Sequence, residues 1–138
     1  AEAQLQPAVT RLNEVQIAYN PDADRGQFSS LQSGLAATAA EAILFSPVDY
    51  AHVAESTVRL LAQPNPAMVL QPSYNGLHGH PVRILRPVAE ALLAAPVTGA
   101  ARDIIRRFER TFLDVDDPGV TLDADDPAAF AALKDQLA

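Results

Sequence analysis

The feature that most constrains the fold is a continuous apolar run at residues 42–45, Ala-Ile-Leu-Phe, which is followed by Ser-Pro-Val and then Asp49. An unbroken apolar run that ends at a proline is typical of a strand buried on both faces of a sheet. Such a strand carries Asp49 to its carboxyl end, and open α/β sheets bind their ligands at that edge. The run therefore predicts a buried strand with a carboxylate placed for chemistry.

Asp49 has two interpretations at this point. Residues 49–63 carry apolar side chains at helical spacing with no internal Gly or Pro, so a helix is expected directly after the strand. Asp49 would then be its N-cap, because a carboxylate accepts hydrogen bonds from the first free helix N–H groups. The alternative is a metal ligand at an active-site edge, and spacing alone leaves both open.

The residues before this strand predict a βαβ unit. Residues 14–19 alternate polar and apolar, which indicates a first strand, and Asn-Pro-Asp closes it with turn chemistry. A polar loop over 22–30 leads through a serine cap into an Ala-rich helix that reaches Ala40. Strand, helix and buried strand in succession imply parallel strands, so the predicted class is α/β.

The rest of the chain continues this alternation. A helix is expected over 1–12, and Asp-Pro-Gly-Val at 117–120 fits a type II turn with Gly119 at the position of positive φ. The remaining pattern predicts strands at 67–70, 78–85, 111–115 and 120–123, and helices that open at Pro87, at Gly99 and at Pro127.

Length, composition and charge limit the domain number, the classes of partner and the cellular location that are expected. The 138 residues are 49% hydrophobic and suit a single domain over 1–138. No apolar run approaches the roughly 18 residues of a membrane span, and no leader is visible, so no membrane is expected. A net charge of −7 argues against a nucleic-acid surface. The absence of Cys fits a reducing compartment, which makes the cytoplasm the expected location.

Four segments together resemble the MobA-like NTP transferase family, which includes the molybdenum cofactor guanylyl- and cytidylyltransferases. The resemblance runs from Val15 to the end of the chain, and the order of the segments makes it specific. They are the loop and helix at 20–35, Phe-Ser-Pro-Val-Asp at 45–49, Gly-His-Pro-Val at 79–82, and the acidic stretch at 115–127. The family fold is a Rossmann-like, mostly parallel sheet flanked by helices, a nucleotide-diphospho-sugar transferase-like fold that is truncated here.

The resemblance implies a Mg²⁺-dependent nucleotidyltransferase. Such an enzyme transfers a nucleoside monophosphate from CTP or GTP to a small phosphorylated acceptor such as molybdopterin, and pyrophosphate leaves. Asp49 and Asp125 resemble the catalytic carboxylates that hold Mg²⁺, with Asp123 as a neighbouring metal candidate. Magnesium held by carboxylates and phosphate oxygens neutralises the charge that grows during such a transfer.

The resemblance also assigns binding residues. Gly26, Ser29 and Ser30 resemble the loop that contacts the base and ribose, although a serine-capped helix with a loop glycine explains them equally well. Four further residues resemble the acceptor side of the cleft: Gly79, His80, Gly99 and Arg102.

Two alternatives concern neighbouring residues. His78 and His80 form a His-x-His pair, a pattern that can bind zinc. The lack of Cys in the chain argues against a zinc site here. A solvated basic helix face explains Arg106, Arg107 and Arg110 better than it explains Arg102.

The resemblance breaks at the amino-terminal side. The family's first strand and its Gly-rich phosphate loop, which ends in a basic residue, are absent, and the only Lys is Lys134. That loop would hold the triphosphate through backbone N–H groups. Three explanations stay open: a fragment of a longer enzyme, a strand supplied by another chain, or lost catalysis. The last predicts a non-catalytic α/β interaction module that forms homo-oligomers through exposed strand edges.

Overall fold

The structure is a computed structural model that describes residues 15–124 and 127–137. Its described strands are β1 (Ala42–Phe45), β2 (Val69–Tyr74), β3 (Leu77–His78), β4 (Val82–Leu85) and β5 (Arg110–Asp114). Its described α-helices are α1 (Gln27–Ala36), α2 (Glu55–Leu61), α3 (Arg86–Ala94), α4 (Ala101–Ile105) and α5 (Pro127–Leu137). Two 3₁₀ turns, Ala23–Arg25 and Pro118–Thr121, complete the order.

The strands form one mixed sheet. Its path runs β1, β4, β2, β3, and β5 pairs with the opposite edge of β2. The strands β1, β2 and β5 run in one direction, while β4 and β3 run the opposite way. A sheet flanked by helices confirms the predicted α/β class.

Strand pairing differs from the expected mostly parallel sheet. The pairs β1–β4, β4–β2 and β2–β3 are antiparallel, and only β2–β5 is parallel among the described strands. The physical reason is that β4 lies between β1 and β2. These two strands run in the same direction but do not pair with each other.

Two layers of side chains cover the sheet. On one face, α1, α3 and α4 bury a cluster that includes Phe28, Leu35, Leu92 and Ile104 against Val69, Val82 and Ile84. Side chains alternate along a strand, so the buried Leu70 and Pro72 of β2 point to the other face. There α2 contacts β2 and buries Leu61 completely. No helix within 15–124 or 127–137 has the length and apolar character that crossing a bilayer requires.

Several predictions for the first 45 residues differ from the structure or lie outside it. Residues 15–19 form no strand, and Val15, Ile17 and Tyr19 are 45%, 39% and 67% exposed. Alternation indicates a strand only when another strand pairs with it, and within the described chain none does. The strand β1 is half-buried rather than buried on both faces, because it lies at the end of the sheet. The predicted helix over 1–12 lies outside the described residues.

Predictions that rest on signals in neighbouring residues are confirmed for several helices and strands. Pro87 opens α3, Pro127 opens α5, and β5 matches the strand expected at 111–115. The strand expected at 78–85 is two strands, β3 and β4, separated by a cis His80–Pro81 peptide bond. The strand predicted at 120–123 is wrong, because a 3₁₀ turn occupies 118–121. The type II turn predicted at 117–120 is also wrong, because Gly119 has no positive φ.

Candidate functional site

Asp49 follows β1 in a turn that Tyr50 N closes on the Pro47 carbonyl at 3.2 Å. It does not cap a helix, because α2 begins six residues later at Glu55. Its carboxylate oxygen Oδ1 is buried and has no hydrogen-bond partner among the residues that the structure describes. An unpartnered buried carboxylate oxygen is costly to the folded protein. The N-cap interpretation is wrong, because the N-cap of α2 is Ala54, and the Oδ1 atom of Asp49 keeps an unused capacity to accept a hydrogen bond or bind a cation.

His80 lies beside Asp49, between β3 and β4. Its ring is 4.4 Å from the Tyr50 ring, centre to centre, and its Nδ1 is buried without a described partner. Burial lowers the pKa of His80 below 6.5, and the nearby negative charge of Asp49 offsets this only in part. His80 is therefore a neutral imidazole at pH 7, with one N–H donor and one lone pair.

Close backbone packing holds His80 in place. The His80 N–H donates to the Val120 carbonyl at 2.8 Å, and Gln71 Nε2 donates to the Gly79 carbonyl at 3.1 Å. A Cβ at Gly79 would lie 2.1 Å from the Val120 carbonyl oxygen. Gly79 is thus required by the approach of two backbone segments, and its predicted contact with an acceptor stays a prediction.

Asp117 is the residue that sequence reasoning missed. It is 7% exposed, and its carboxylate accepts hydrogen bonds from Ala54 N at 2.9 Å, Thr57 Oγ1 at 2.6 Å and Gly119 N at 2.9 Å. The Asp117 carboxylate provides hydrogen-bond acceptors at the start of α2, where the N-cap residue Ala54 has no capping side chain. Asp-Pro-Gly signals a turn, but nothing local shows which distant helix the carboxylate would cap.

A cavity of about 990 Å³ opens beside His80. It lies between α1, β1 and the segment that carries α4. Part of the wall is apolar, with Phe28, Leu31, Ile43, Phe45 and Val82. Polar and charged side chains line the remainder, among them Ser30, Gln71, His80, Arg102, Arg106 and Arg110. Pro47 and Val48 place the Asp49 turn at the same cavity.

The loop before α1 has a defined geometry. Gly26 has φ +101°, a conformation that favours glycine, and it precedes the first residue of α1. The helix therefore begins before the serines, and the predicted serine cap is wrong. Ser29 is buried, its hydroxyl donates to the Gly26 carbonyl at 2.7 Å, and it accepts from Asn20 Nδ2 at 2.9 Å. Ser29 holds the loop, whereas Ser30 lines the cavity.

The remaining predicted residues lie at the cavity or next to the Asp49 turn. Gly99 and Arg102 line the cavity at the start of α4. Asp123 is exposed, and the adjacent Ala124 N donates to the Asp49 carbonyl at 3.0 Å, so the acidic stretch reaches the Asp49 turn. Asp125 lies outside the described residues. In the described part of the chain, no three His, Asp or Glu side chains are grouped so that they could hold a metal ion.

The sequence was compared with protein-family models and with curated proteins. The family model described as MobA-like NTP transferase domain matches residues 1–112. No curated protein matches the chain.

Solved structures share the fold. One is a homologue of Mycobacterium tuberculosis Rv0371c from Mycobacterium sp. strain JC1, with a TM-score of 0.71 and 24% identity over 96% of this chain and 71% of that one. Another is Rv0371c from Mycobacterium tuberculosis H37Rv, with a TM-score of 0.67 and 25% identity over 79% of this chain and 60% of that one. The chain thus shares its fold with proteins longer than itself.

Proposed function

Because the chain belongs to the MobA-like NTP transferase domain family, whose model covers residues 1–112, we propose that it acts in a Mg²⁺-dependent nucleotidyltransferase. An oxygen of a phosphorylated acceptor, such as molybdopterin, attacks the α-phosphorus of CTP or GTP. The bond from that phosphorus to the bridging oxygen breaks, and pyrophosphate leaves with the electron pair. The acceptor gains the nucleoside monophosphate.

The observation that carries this proposal is the buried Oδ1 of Asp49 at the carboxyl end of β1. A carboxylate oxygen is the ligand that Mg²⁺ prefers, and Mg²⁺ at nucleotide sites takes one or two carboxylates together with phosphate oxygens and water. Asp49 fits that donor set, and Asp123 and Asp125 are its proposed companions from the stretch next to Ala124. When bound, the ion neutralises charge on the phosphates.

The two proposed substrates are assigned to different residues around the cavity, the acceptor to His80 and the nucleotide to the loop before α1. His80 is neutral at pH 7 and can donate a hydrogen bond from its ring N–H to a phosphate oxygen. We assign it, with Gly79, Gly99 and Arg102, to the acceptor. The nucleotide base and ribose lie near Gly26 and Ser30, in a loop that Ser29 holds in shape.

The test is isothermal titration of the chain with CTP and with GTP, with and without Mg²⁺. We expect Mg²⁺-dependent binding of one nucleotide, and a loss of about tenfold or more in Asp49→Asn, since removing a charged partner of a ligand costs about 1.5–3 kcal/mol. Asp135→Asn is the matched control, because it makes the same charge change on an exposed side chain of α5.

Two results would contradict the proposal. One is nucleotide binding that Asp49→Asn leaves unchanged. The other is no binding of either nucleotide in the presence of Mg²⁺, which would assign the chain to the second function below.

That second function is a non-catalytic module that self-associates through strand edges. The outer edge of β1 faces no strand within 15–124 or 127–137. The Arg86 N–H donates to the Glu41 carbonyl at 2.8 Å, so residues 41, 43 and 45 pair with β4. The backbone N–H groups of Ala42 and Leu44 therefore point to the open edge, where a second copy could add a strand.

Light scattering on a sizing column tests this module. We expect a concentration-dependent dimer in the native chain and a monomer in Ala42→Pro, because proline removes an outward N–H at the first residue of an edge strand. Unchanged association of a folded Ala42→Pro variant would exclude β1 as the contact.

A further inference from the structure

The strand β5 forms an edge of the sheet. It pairs in parallel with β2 from Arg110 to Asp114, and no other strand within 15–124 or 127–137 pairs with it. All of its side chains are exposed except that of Leu113, which is partly buried. An edge strand presents unpaired backbone N–H and C=O groups, which can pair with a strand of another chain. The sheet can therefore continue beyond β5.

The hydrogen bonds of β5 show which of its backbone groups are unused. The Val115 N–H donates to the Ser73 carbonyl of β2 at 2.9 Å, so the backbone groups of Val115 point toward β2. These groups alternate in direction along a strand, so every second residue of β5 points its N–H and C=O groups away from β2. The outward groups belong to Arg110, Phe112 and Asp114.

The central side chain of β5 leans away from the open edge. The Phe112 ring stacks on the ring of His78, with the two centres 3.7 Å apart. His78 belongs to β3, which pairs with the far side of β2, so the Phe112 ring reaches across the sheet. The Arg110 guanidinium lies 5.3 Å from the centre of the same ring. The Phe112 side chain therefore does not shield the outward backbone groups of β5.

The charges of β5 are self-complementary about Phe112. Arg110 stands two residues before it and Asp114 two residues after it, and all three side chains lie on the same face of the strand. In an antiparallel pair of two such strands centred on Phe112, Arg110 lies opposite the partner's Asp114, and the reverse. Both side chains are exposed, and neither forms a salt bridge with a described residue. A second copy of the chain thus matches this edge in charge.

We propose that the chain forms a twofold dimer in which β5 pairs with β5 of a second copy, antiparallel and centred on Phe112. The outward N–H groups of Arg110, Phe112 and Asp114 donate to the outward carbonyl groups of the other copy, as in an antiparallel ladder. Pairs of opposite charge across two strands stabilise a sheet, whereas like charges at the same positions destabilise it. Arg110 also lines the large cavity, so the dimer places the partner's Asp114 beside a cavity residue.

Light scattering on a sizing column tests the dimer. We expect the native chain to associate with a dissociation constant on the order of micromolar or weaker, because a strand pair of this length is small beside the roughly 1,200–2,000 Å² of a standard interface. The charge-reversed variants Arg110→Asp and Asp114→Arg each place like charges opposite each other at both symmetry-related pairs. We expect each variant alone to associate at least about tenfold more weakly than the native chain.

An equimolar mixture of the two variants gives the decisive result. One variant then carries two negative side chains on β5 and the other carries two positive ones, so opposite charges face each other at both pairs. We expect dimers to reappear in the mixture, which a misfolded or generally weakened variant could not produce. Thermal melts show whether each variant is folded.

Arg107→Asp and Asp135→Arg are the matched controls. They make the same two charge changes on exposed residues outside β5, and we expect each to alter the dissociation constant less than about twofold. The inference is overturned if the native chain stays monomeric or if the mixture of β5 variants does not associate. It is also overturned if the controls lose as much association as the β5 variants.

The variant Ala42→Pro separates the two edges of the sheet. It abolishes a dimer formed through β1 and leaves a dimer formed through β5 intact. A dimer that Ala42→Pro removes and that both β5 variants retain would overturn the inference. The dimer is independent of the nucleotidyltransferase proposal, because its measurement involves no nucleotide and its variants leave Asp49 unchanged.

Discussion

At the scale of single residues, Asp117 has a large expected effect on stability. Its buried carboxylate accepts three hydrogen bonds from Ala54, Thr57 and Gly119. An amide at this position would turn an NH₂ group toward at least one of these donors. We expect Asp117→Asn to lower the free energy of unfolding by about 2–3 kcal/mol in urea denaturation, because hydrogen bonds to a charged group contribute about 1.5–3 kcal/mol.

Asp116→Asn is the control for this measurement. Asp116 is the exposed neighbour, so its replacement removes the same charge without a buried contact. Equal effects of the two substitutions would mean that net charge, and not the buried hydrogen bonds, accounts for the loss.

His80 makes stability depend on pH. Its pKa is lowered by burial, so at pH values below about 6.5 the unfolded chain binds a proton that the folded chain resists. Stability is then retained above that pH and falls as the pH decreases. We expect the melting temperature to drop more between pH 7.5 and pH 5.5 in the native chain than in His80→Gln.

The comparison with His80→Gln isolates this one group, because every other titrating side chain is common to both proteins. Parallel declines in the two proteins would show that His80 protonates as easily in the folded state as in the unfolded state.

At the scale of elements, two glycines join segments that are distant in sequence. A Cβ at Gly79 would meet the Val120 carbonyl oxygen at 2.1 Å, and one at Gly119 would meet the His52 carbonyl oxygen at 2.1 Å. The backbone must move in either case. We therefore expect Gly79→Ala and Gly119→Ala each to destabilise the protein by about 2 kcal/mol or more in urea denaturation.

Gly34 supplies the opposite case for the same experiment. It lies exposed in α1, and an added Cβ would meet nothing within 4 Å. Gly34→Ala should therefore stabilise the protein by about 0.5–1 kcal/mol, because alanine loses less backbone entropy in a helix. A loss of stability in Gly34→Ala would show that the packing around α1 is tighter than described.

Elements were predictable from the sequence where their signals are local. Pro87 and Pro127 fix the starts of α3 and α5 through their own φ angle and missing N–H. The start of α2 was not predictable, because its capping carboxylate is Asp117, 63 residues beyond Ala54. The strand predicted at 14–19 is absent from residues 15–19 for a related reason. Alternation of polar and apolar residues does not reveal whether another strand is available to pair with them.

At the scale of the whole molecule, β2 is the centre of the sheet. Val69 pairs with Ile84 of β4 and with Arg110 of β5, while Ser73 pairs with His78 of β3 and with Asp114 of β5. We expect amide hydrogen exchange, followed by NMR, to be slowest in Val69–Tyr74 and faster in Ala42–Phe45, which pairs with a single strand among the described residues. Equal protection in both strands would show that the outer edge of β1 is also paired or covered.

The candidate site was predictable only in part at this scale. Asp49 and His80 were both named from the sequence, and the structure brings them together. Of the arginines that line the cavity, Arg102 was also named from the sequence, whereas Arg106 and Arg110 were not, because helical spacing gives Arg106 and Arg107 the same apparent environment. Which of them faces the cavity depends on where α4 ends and β5 begins, and that is set by packing of the whole domain.

The remote cap of α2 also has a consequence for timing. A ribosome makes the chain from its amino terminus, so α2 emerges about sixty residues before Asp117 does. Until Asp117 is released, the start of α2 lacks these hydrogen bonds. We therefore expect α2 and the turn before it to reach their final arrangement late, after most of the chain has been made.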